Sequence, residues 1–222
     1  MNLVAIDTAL EACSVGVVAS DLTVLRSEEV GRRQQVRLFP MMKEAMAEAG
    51  LAFEALDRIG VTIGPGSFTG IRIGVAAARG LALVTKAPVV GVTTLEVHAE
   101  SAASRLEGRP LLVALPARGD LLYAQLFAAD LAPRGPPRVA SIAELVAEAR
   151  DANALLAGSG ADAIAAALGD DVPRVLHRSS APDIAALVRV VRRAPISNEA
   201  PKPLYLRPPD AVPQPNRAVA RQ

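Results

Sequence analysis

A chain of 222 residues, 51% hydrophobic and only 3% aromatic, with no tryptophan, holds material for one or two domains with aliphatic cores. Its net charge of +1 supplies no overall basic field, which removes unaided nucleic-acid binding from the leading functions. A single cysteine, Cys13, rules out a disulfide framework, no uncharged run reaches membrane length, and no basic and apolar leader opens the chain, so a soluble, cytoplasmic protein is expected.

In chain order, Leu3–Asp7, residues 14–20 and residues 23–29 read as three strands joined by short turns into a meander. Residues 34–50 follow as a helix with Val36, Phe39, Met42, Met46 and Ala49 on one face and Leu38, Met41 and Ala45 beside them. Three of the four methionines fall here, and flexible thioethers suit an adaptable contact surface as well as a core. Pro40 lacks a donor, so the helix kinks there or starts near it, and Gly50 supplies the stop.

Residues 58–63 form a buried strand that ends in Gly64-Pro65-Gly66-Ser67-Phe68-Thr69-Gly70. Pro65 fixes φ in this turn while the glycines admit angles closed to other residues, and Ser67 or Thr69 can cap the helix that follows. Strand, glycine turn and helix N-terminus can together cradle a phosphate on backbone amides. No Lys-Ser or Lys-Thr pair makes the run a Walker A loop; the next lysine is Lys86, beyond the helix. The helix, residues 71–84, has Arg72 and Arg79 as its charges and apolar residues on every side, so it is buried against its own sheet and something else. Gly70, Gly74, Ala78 and Ala82 recur every fourth residue, a groove that admits a second helix. A central helix inside a single domain remains the alternative, and the run is too short, with two arginines, for a membrane span.

Val89–Val92 is a further strand, and Thr94 can cap a helix running towards Leu106. Gly108 to Pro110 breaks the pattern, and residues 111–115 with 121–128 form a hairpin that starts a second unit. Residues 132–137 are too rich in proline for either element. Ser141 and Glu144 form a capping box ahead of a helix to Arg150, residues 154–157 a strand, 158–160 a turn and Ala161–Leu168 a helix. Asp183 caps a helix ending near Arg193, where arginines complement the helix dipole. The tail, with Pro208, Pro209, Pro213 and Pro215, is expected to be disordered. The expected units are residues 1–107, 108–207 and the tail 208–222.

Several stretches carry a resemblance. Ala5-Ile6-Asp7-Thr8-Ala9, Glu11-Ala12-Cys13-Ser14, GPGSFTGIRIG with Ala78-Arg79-Gly80-Leu81-Ala82, Gly91-Val92-Thr93-Thr94-Leu95 and Leu204-Tyr205-Leu206-Arg207 together closely resemble the TsaB family, over nearly the whole chain and most strongly up to Leu95. The resemblance implies an α/β fold of two actin-like (ribonuclease H-like) domains, each a mixed sheet flanked by helices. It also implies a role as a non-catalytic relative of TsaD, the enzyme that passes a threonylcarbamoyl group to adenosine 37 of tRNA, with the ATPase TsaE as a further partner. Pairing with TsaD is implied through the first two helices, with Val36, Phe39, Met42, Met46, Ile71, Gly74, Ala78 and Ala82 at the interface. The same face allows a homodimer, tRNA is met through the complex, and no membrane is involved.

The residues themselves bear on catalysis. TsaD needs a metal held by two histidines one helical turn apart, whereas His98 and His177 lie far apart here and read as isolated packing residues, so no metal site is expected. In an actin-like fold Asp7 and Thr8 face nucleotide phosphates, and with Gly64, Gly66, Ser67 and Thr69 they are the candidate nucleotide-binding set. The second-domain family pattern Ile-Asp-Ala-Arg reads Leu115-Pro116-Ala117-Arg118, so proline stands where a carboxylate would serve Mg²⁺. Tyr123 matches a family tyrosine, but the acidic residue usually just before it is displaced to Asp120. Asp7 then closes its strand and bonds the turn. Ser67 has no histidine nearby to activate it, and no residue is assigned a catalytic role. No cofactor is expected beyond weak ATP or ADP binding. Two readings stay open: a silent subunit that binds and activates TsaD, and an ATP-binding protein, ATPase or phosphotransferase of the actin-like superfamily.

Overall fold

Strand β1 (Leu3–Asp7) is apolar up to its last residue and buried along its whole length, as befits the middle of a sheet. It pairs antiparallel with β2 (Ala12–Ala19), which pairs antiparallel with β3 (Leu22–Glu29), the edge strand whose charged residues face water. On the other side β4 (Arg58–Thr62) lies parallel to β1, and β5 (Val89–Val92) parallel to β4. The order is β3-β2-β1-β4-β5. The second half repeats the plan: β6 (Leu111–Pro116), β7 (Leu121–Phe127) and β8 (Arg138–Ser141) form a meander, and β9 (Leu155–Ala157) and β10 (Val175–His177) extend it in parallel. Its order is β10-β9-β6-β7-β8, the same arrangement. The fold is thus α/β, two mixed five-stranded sheets of one strand order with helices on their faces, the arrangement the resemblance implies. This computed structural model describes residues 1–169, 174–197 and 199–207.

Helices α1 (Gln34–Glu48) and α2 (Phe68–Thr85) cover one face of the first sheet, with Leu38, Met42 and Val75 packed on Ile6, Val15 and Val61. The corresponding face of the second sheet carries α4 (Ile142–Asp151) and α5 (Ala161–Leu168). The remaining helices are exchanged. α3 (Thr94–Ala102) precedes the second sheet in sequence yet buries Leu95, Ala99 and Ala102 against Leu111, Val113 and Leu155 of that sheet. α6 (Ile184–Arg193) comes last yet buries Ile184, Leu187 and Val191 against Leu3, Ala5 and Val90 of the first. A Cβ on Gly60 would stand 2.2 Å from Val191 Cγ2, so the missing side chain is what lets α6 lie on β4. The two exchanged helices are pinned to each other by Glu100 of α3, which accepts from Arg189 at 2.9 Å and Arg193 at 2.5 Å of α6. Burial alone would raise the Glu100 carboxyl, but these hydrogen bonds hold it below the usual carboxylate range. Arg189 and Arg193, expected as dipole partners, thus bridge two helices.

Several boundaries differ from expectation. α2 begins three residues early, because extended Ser67 caps it, its Oγ accepting from Gly70 N at 3.2 Å. By length and composition alone the resulting 18 residues could cross a bilayer; here Ile71, Val75 and Ala78 sit on the sheet. α1 is one helix through Pro40, whose missing bond falls on the exposed side, beside exposed Val36 one turn earlier. Thr93, not Thr94, caps α3, in a capping box with Glu96. β8 and β10, four and three residues long, carry too little alternation to be foreseen. The capping box of Ser141 with Glu144 and the Asp183 cap occur as expected. The expected disordered tail, 208–222, lies outside the described residues.

Candidate functional site

The glycine turn is built around the end of β1. Ser67 N donates to the Ala9 carbonyl at 2.7 Å, and Thr8 Oγ1 donates to the Gly70 carbonyl at 2.7 Å. A Cβ on Gly66 would lie 2.2 Å from Ala9 O, and one on Gly70 2.0 Å from Thr8 O. These glycines therefore let the turn after β1 lie directly on the N-terminus of α2. Gly74 faces Thr8 Oγ1 in the same way, at 2.6 Å from a built Cβ. The small-residue groove expected to receive a second helix is thus filled, over Gly70, Gly74 and Ala78, by the chain's own first sheet.

Asp7 lies in the interior. Its Oδ1 accepts from Thr62 Oγ1 at 2.5 Å and from Ala9 N at 3.1 Å, while its Oδ2 has no partner. Burial pushes the carboxyl up to about 6 in spite of those two donors. Thr8 is equally buried, and Gly64, also interior, accepts from Thr94 N at 2.8 Å. Of the six candidate nucleotide-binding residues, Gly66, Ser67 and Thr69 border open space. Gly66 and Ser67 line a cleft of about 320 Å³ between the two halves, with Pro116 and Tyr123 from the second sheet and Tyr205 and Arg207 from the C-terminal segment. Thr69 lines a neighbouring groove of about 670 Å³ that includes Glu11 and Gln34. Pro116 borders the cleft, where the family pattern has its second carboxylate, and no acidic side chain lines it among the described residues.

The helical face differs from expectation in which residues it presents. Met42, Met46, Ile71, Gly74 and Ala78 are buried against the chain's own sheet and have no surface to offer a partner. The methionines of α1 fill the core. Val36, at 69% exposure, and Phe39, at 59%, stand clear near the start of α1, and Ala82 is half-buried. Leu83 and Val84, 74% and 73% exposed, end a stripe on α2 that also holds Thr69, Arg72, Ala76 and Arg79. Sequence reasoning misses them because a helix apolar on all sides does not reveal which side meets its sheet.

The family of tRNA N6-adenosine threonylcarbamoyltransferase, TsaD, matches residues 26–188. TsaB of Escherichia coli, a tRNA threonylcarbamoyladenosine biosynthesis protein, is 36% identical over 126 residues, 56% of this chain and 54% of that one. The match thus spans about half the length of this curated relative. An uncharacterized Mycobacterium tuberculosis protein is 34% identical over 216 residues, 96% of this chain and 94% of its own. A Pseudomonas aeruginosa crystal structure, described as similar to the peptidase YeaZ, superposes with a TM-score of 0.80 at 28% identity, over 93% of this chain and 99% of that one.

The chain belongs to the TsaB family. In this TsaB-family chain the structure corrects the reading of the two histidines as isolated residues. His98 of α3 and His177 of β10 stack with ring centroids 5.2 Å apart and 18° between planes, and His177 Nε2 lies 3.1 Å from the His98 carbonyl. His98 is wholly buried, and neither of its ring nitrogens has a partner. Burial, with the neighbouring ring as a lesser cause, brings His98 down to about 3, and burial likewise lowers His177. They meet because α3 is laid on the second sheet, a tertiary event without a local sequence signal. Among the described residues no group of three His, Cys, Asp or Glu side chains could hold a metal ion.

Proposed function

We propose that this chain is a catalytically silent subunit in the biosynthesis of threonylcarbamoyladenosine on tRNA, which binds and activates a TsaD-type transferase, with TsaE as a third component. The exposed apolar residues of α1 and α2 carry this reading: Val36, Phe39, Leu83 and Val84 stand in water on two helices whose other sides already seat on the sheet. Large apolar side chains left in water on helices mark a surface that another protein covers, here with Val36 and Phe39 at the end where α1 and α2 start and Leu83 and Val84 at the far end of α2. The E. coli relative's name and the TsaD family match support the pathway. Catalytic silence is supported by the interior position of Asp7, by Pro116 at the cleft and by the lack of a carboxylate lining it among the described residues. The same helical face serves a homodimer in the isolated protein, tRNA is met through the complex, and the work is done in the cytoplasm. The test is co-purification of a TsaD-type protein with wild type and with Phe39→Glu/Leu83→Glu; undiminished capture by the double variant would refute the surface. Reconstituted tRNA modification with and without the chain tests the activating role.

One observation favours a second reading, an ATP-binding protein or ATPase. The cleft holds the Ser67 end of α2 opposite Tyr123, with Arg207 at its wall, and a helix N-terminus with a nearby cation suits a phosphate. Titration with ATP and Mg²⁺, followed by phosphate release from the isolated protein, separates the readings, since clear turnover contradicts a silent subunit.

A further inference from the structure

The chain does not stop at α6 but doubles back over the first sheet. Pro201 lies so close to exposed Gly91 of β5 that a Cβ there would stand 2.9 Å from its own. Leu204 N donates to the Ile63 carbonyl, just past the end of β4, at 2.7 Å. Tyr205 then lays its ring on Phe68 at the start of α2, with centroids 4.9 Å apart, and its hydroxyl accepts from Arg72 Nε at 2.8 Å. The Arg72 guanidinium covers the Phe68 ring at 3.7 Å. Residues 204–207 form one wall of the 320 Å³ cleft.

This segment is held differently from everything beneath it. Residues 199–205 form no helix or strand, and Tyr205 and Arg72 are both exposed. Beyond the buried Pro201 and the Leu204–Ile63 backbone bond, it is held by the ring stack on Phe68, the exposed hydrogen bond and Arg72 at 5.7 Å from the Tyr205 ring, each a weak interaction in water. Segments held in this way open locally at far lower cost than a sheet does. The anchor also has a second address: Arg72, Ala76, Arg79 and Leu83 share one exposed stripe of α2, so the residue that fastens Tyr205 belongs to the surface offered to a partner.

We propose that residues 199–207 are a strap that opens and closes the cleft, with Arg72 as its catch, so that a partner seated on the exposed stripe of α2 withdraws Arg72 from Tyr205 and frees the strap. The link to a partner rests on the proposed docking of a TsaD-type protein; the strap and catch do not. Two sites that compete for one side chain are coupled reciprocally, so an open strap in turn favours docking.

Hydrogen exchange on the full chain tests the catch without a partner. In Tyr205→Ala the Leu204 amide, bonded to the Ile63 carbonyl, is expected to exchange ~10- to 100-fold faster than in wild type, and in Arg72→Ala by a smaller factor, while β1 and β4 keep their protection. Unchanged exchange in Tyr205→Ala, or a matching rise in β1, overturns the strap as an independent unit. Tyrosine emission gives a second readout, because the two tyrosines, Tyr123 and Tyr205, both line the cleft and there is no tryptophan. In Tyr123→Phe, acrylamide quenching of Tyr205 is expected to rise on adding Arg72→Ala, and equal quenching counts against the catch. With a TsaD-type protein added, residues 69–84 are expected to slow and the Leu204 amide to quicken. Slowing at 69–84 with no quickening at Leu204 overturns the coupling, whereas no slowing at 69–84 refutes the docking reading and leaves the isolated-chain result to stand by itself.

Discussion

Between pH 7 and pH 5 two buried groups pull the stability of this protein in opposite directions, and removing one exposes the other. His98 binds its proton only near pH 3 in the folded chain against 6.5 when unfolded, so acidification loads protons onto the unfolded state and destabilises the fold. Asp7 is reversed: the folded chain takes up a proton as pH falls through about 6 and the unfolded chain not until 3.8, so acidification stabilises the fold. A tenfold difference in proton affinity between the two states is worth about 1.4 kcal/mol, so moving from pH 7 to 5 costs roughly 2 kcal/mol through His98 and returns roughly 1 kcal/mol through Asp7. His177 adds to the loss, since burial lowers it too. Carboxylates held below their ordinary range, such as Glu100, change protonation below this window. Asp7→Asn keeps the shape and removes the gain, so its stability is expected to fall roughly 1 kcal/mol more than wild type's over those two pH units. Urea unfolding followed by circular dichroism at pH 7, 6 and 5 measures it. Parallel curves for wild type and Asp7→Asn would refute the account of Asp7 as a buried carboxyl that is charged at neutral pH.

Other expectations follow from the same geometry. His98→Leu leaves Asp7 unopposed by this histidine, and the fold is expected to lose roughly 2 kcal/mol less than wild type over the same pH range, read in the same titration. Gly70→Ala sets a Cβ against the Thr8 carbonyl, and a lowered denaturant midpoint equivalent to about 2 kcal/mol or more is expected; an unchanged midpoint would show that the turn after β1 can move aside. Phe39→Glu/Leu83→Glu, by contrast, is expected to shift unfolding by no more than about 0.5 kcal/mol while capture of a TsaD-type protein is lost, because both side chains stand in water. A large loss of stability in that double variant would show the face to be part of the core.

Local chemistry is legible in the sequence and tertiary choice is not. The first meander, the Ser141–Glu144 box and the Asp183 cap can be foreseen because each rests on residues within a few positions of one another. The glycine run reads as a tight turn before a helix, but its spacing suggests a groove for a foreign helix where it admits Thr8 and Ala9 of this chain. Periodicity places Met42 and Val36 on one face of α1, yet the former is buried in the core under the sheet and the latter stands in solvent, a division set by where the helix crosses its sheet. For α2, apolar all round, the pattern holds no information about orientation. The His98–His177 stack and the Glu100 bridge depend on α3 and α6 changing places, which sequence order conceals.

That exchange governs what happens if the chain is divided. A cut in the linker before β6 leaves one fragment carrying α3 without the sheet that buries it and the other carrying α6 without its own. Each piece then presents a sticky helix and a bare sheet that match the other's, as interlocked halves do. Such fragments are poor modules alone but natural complements when co-expressed, and the intact protein should melt in a single step.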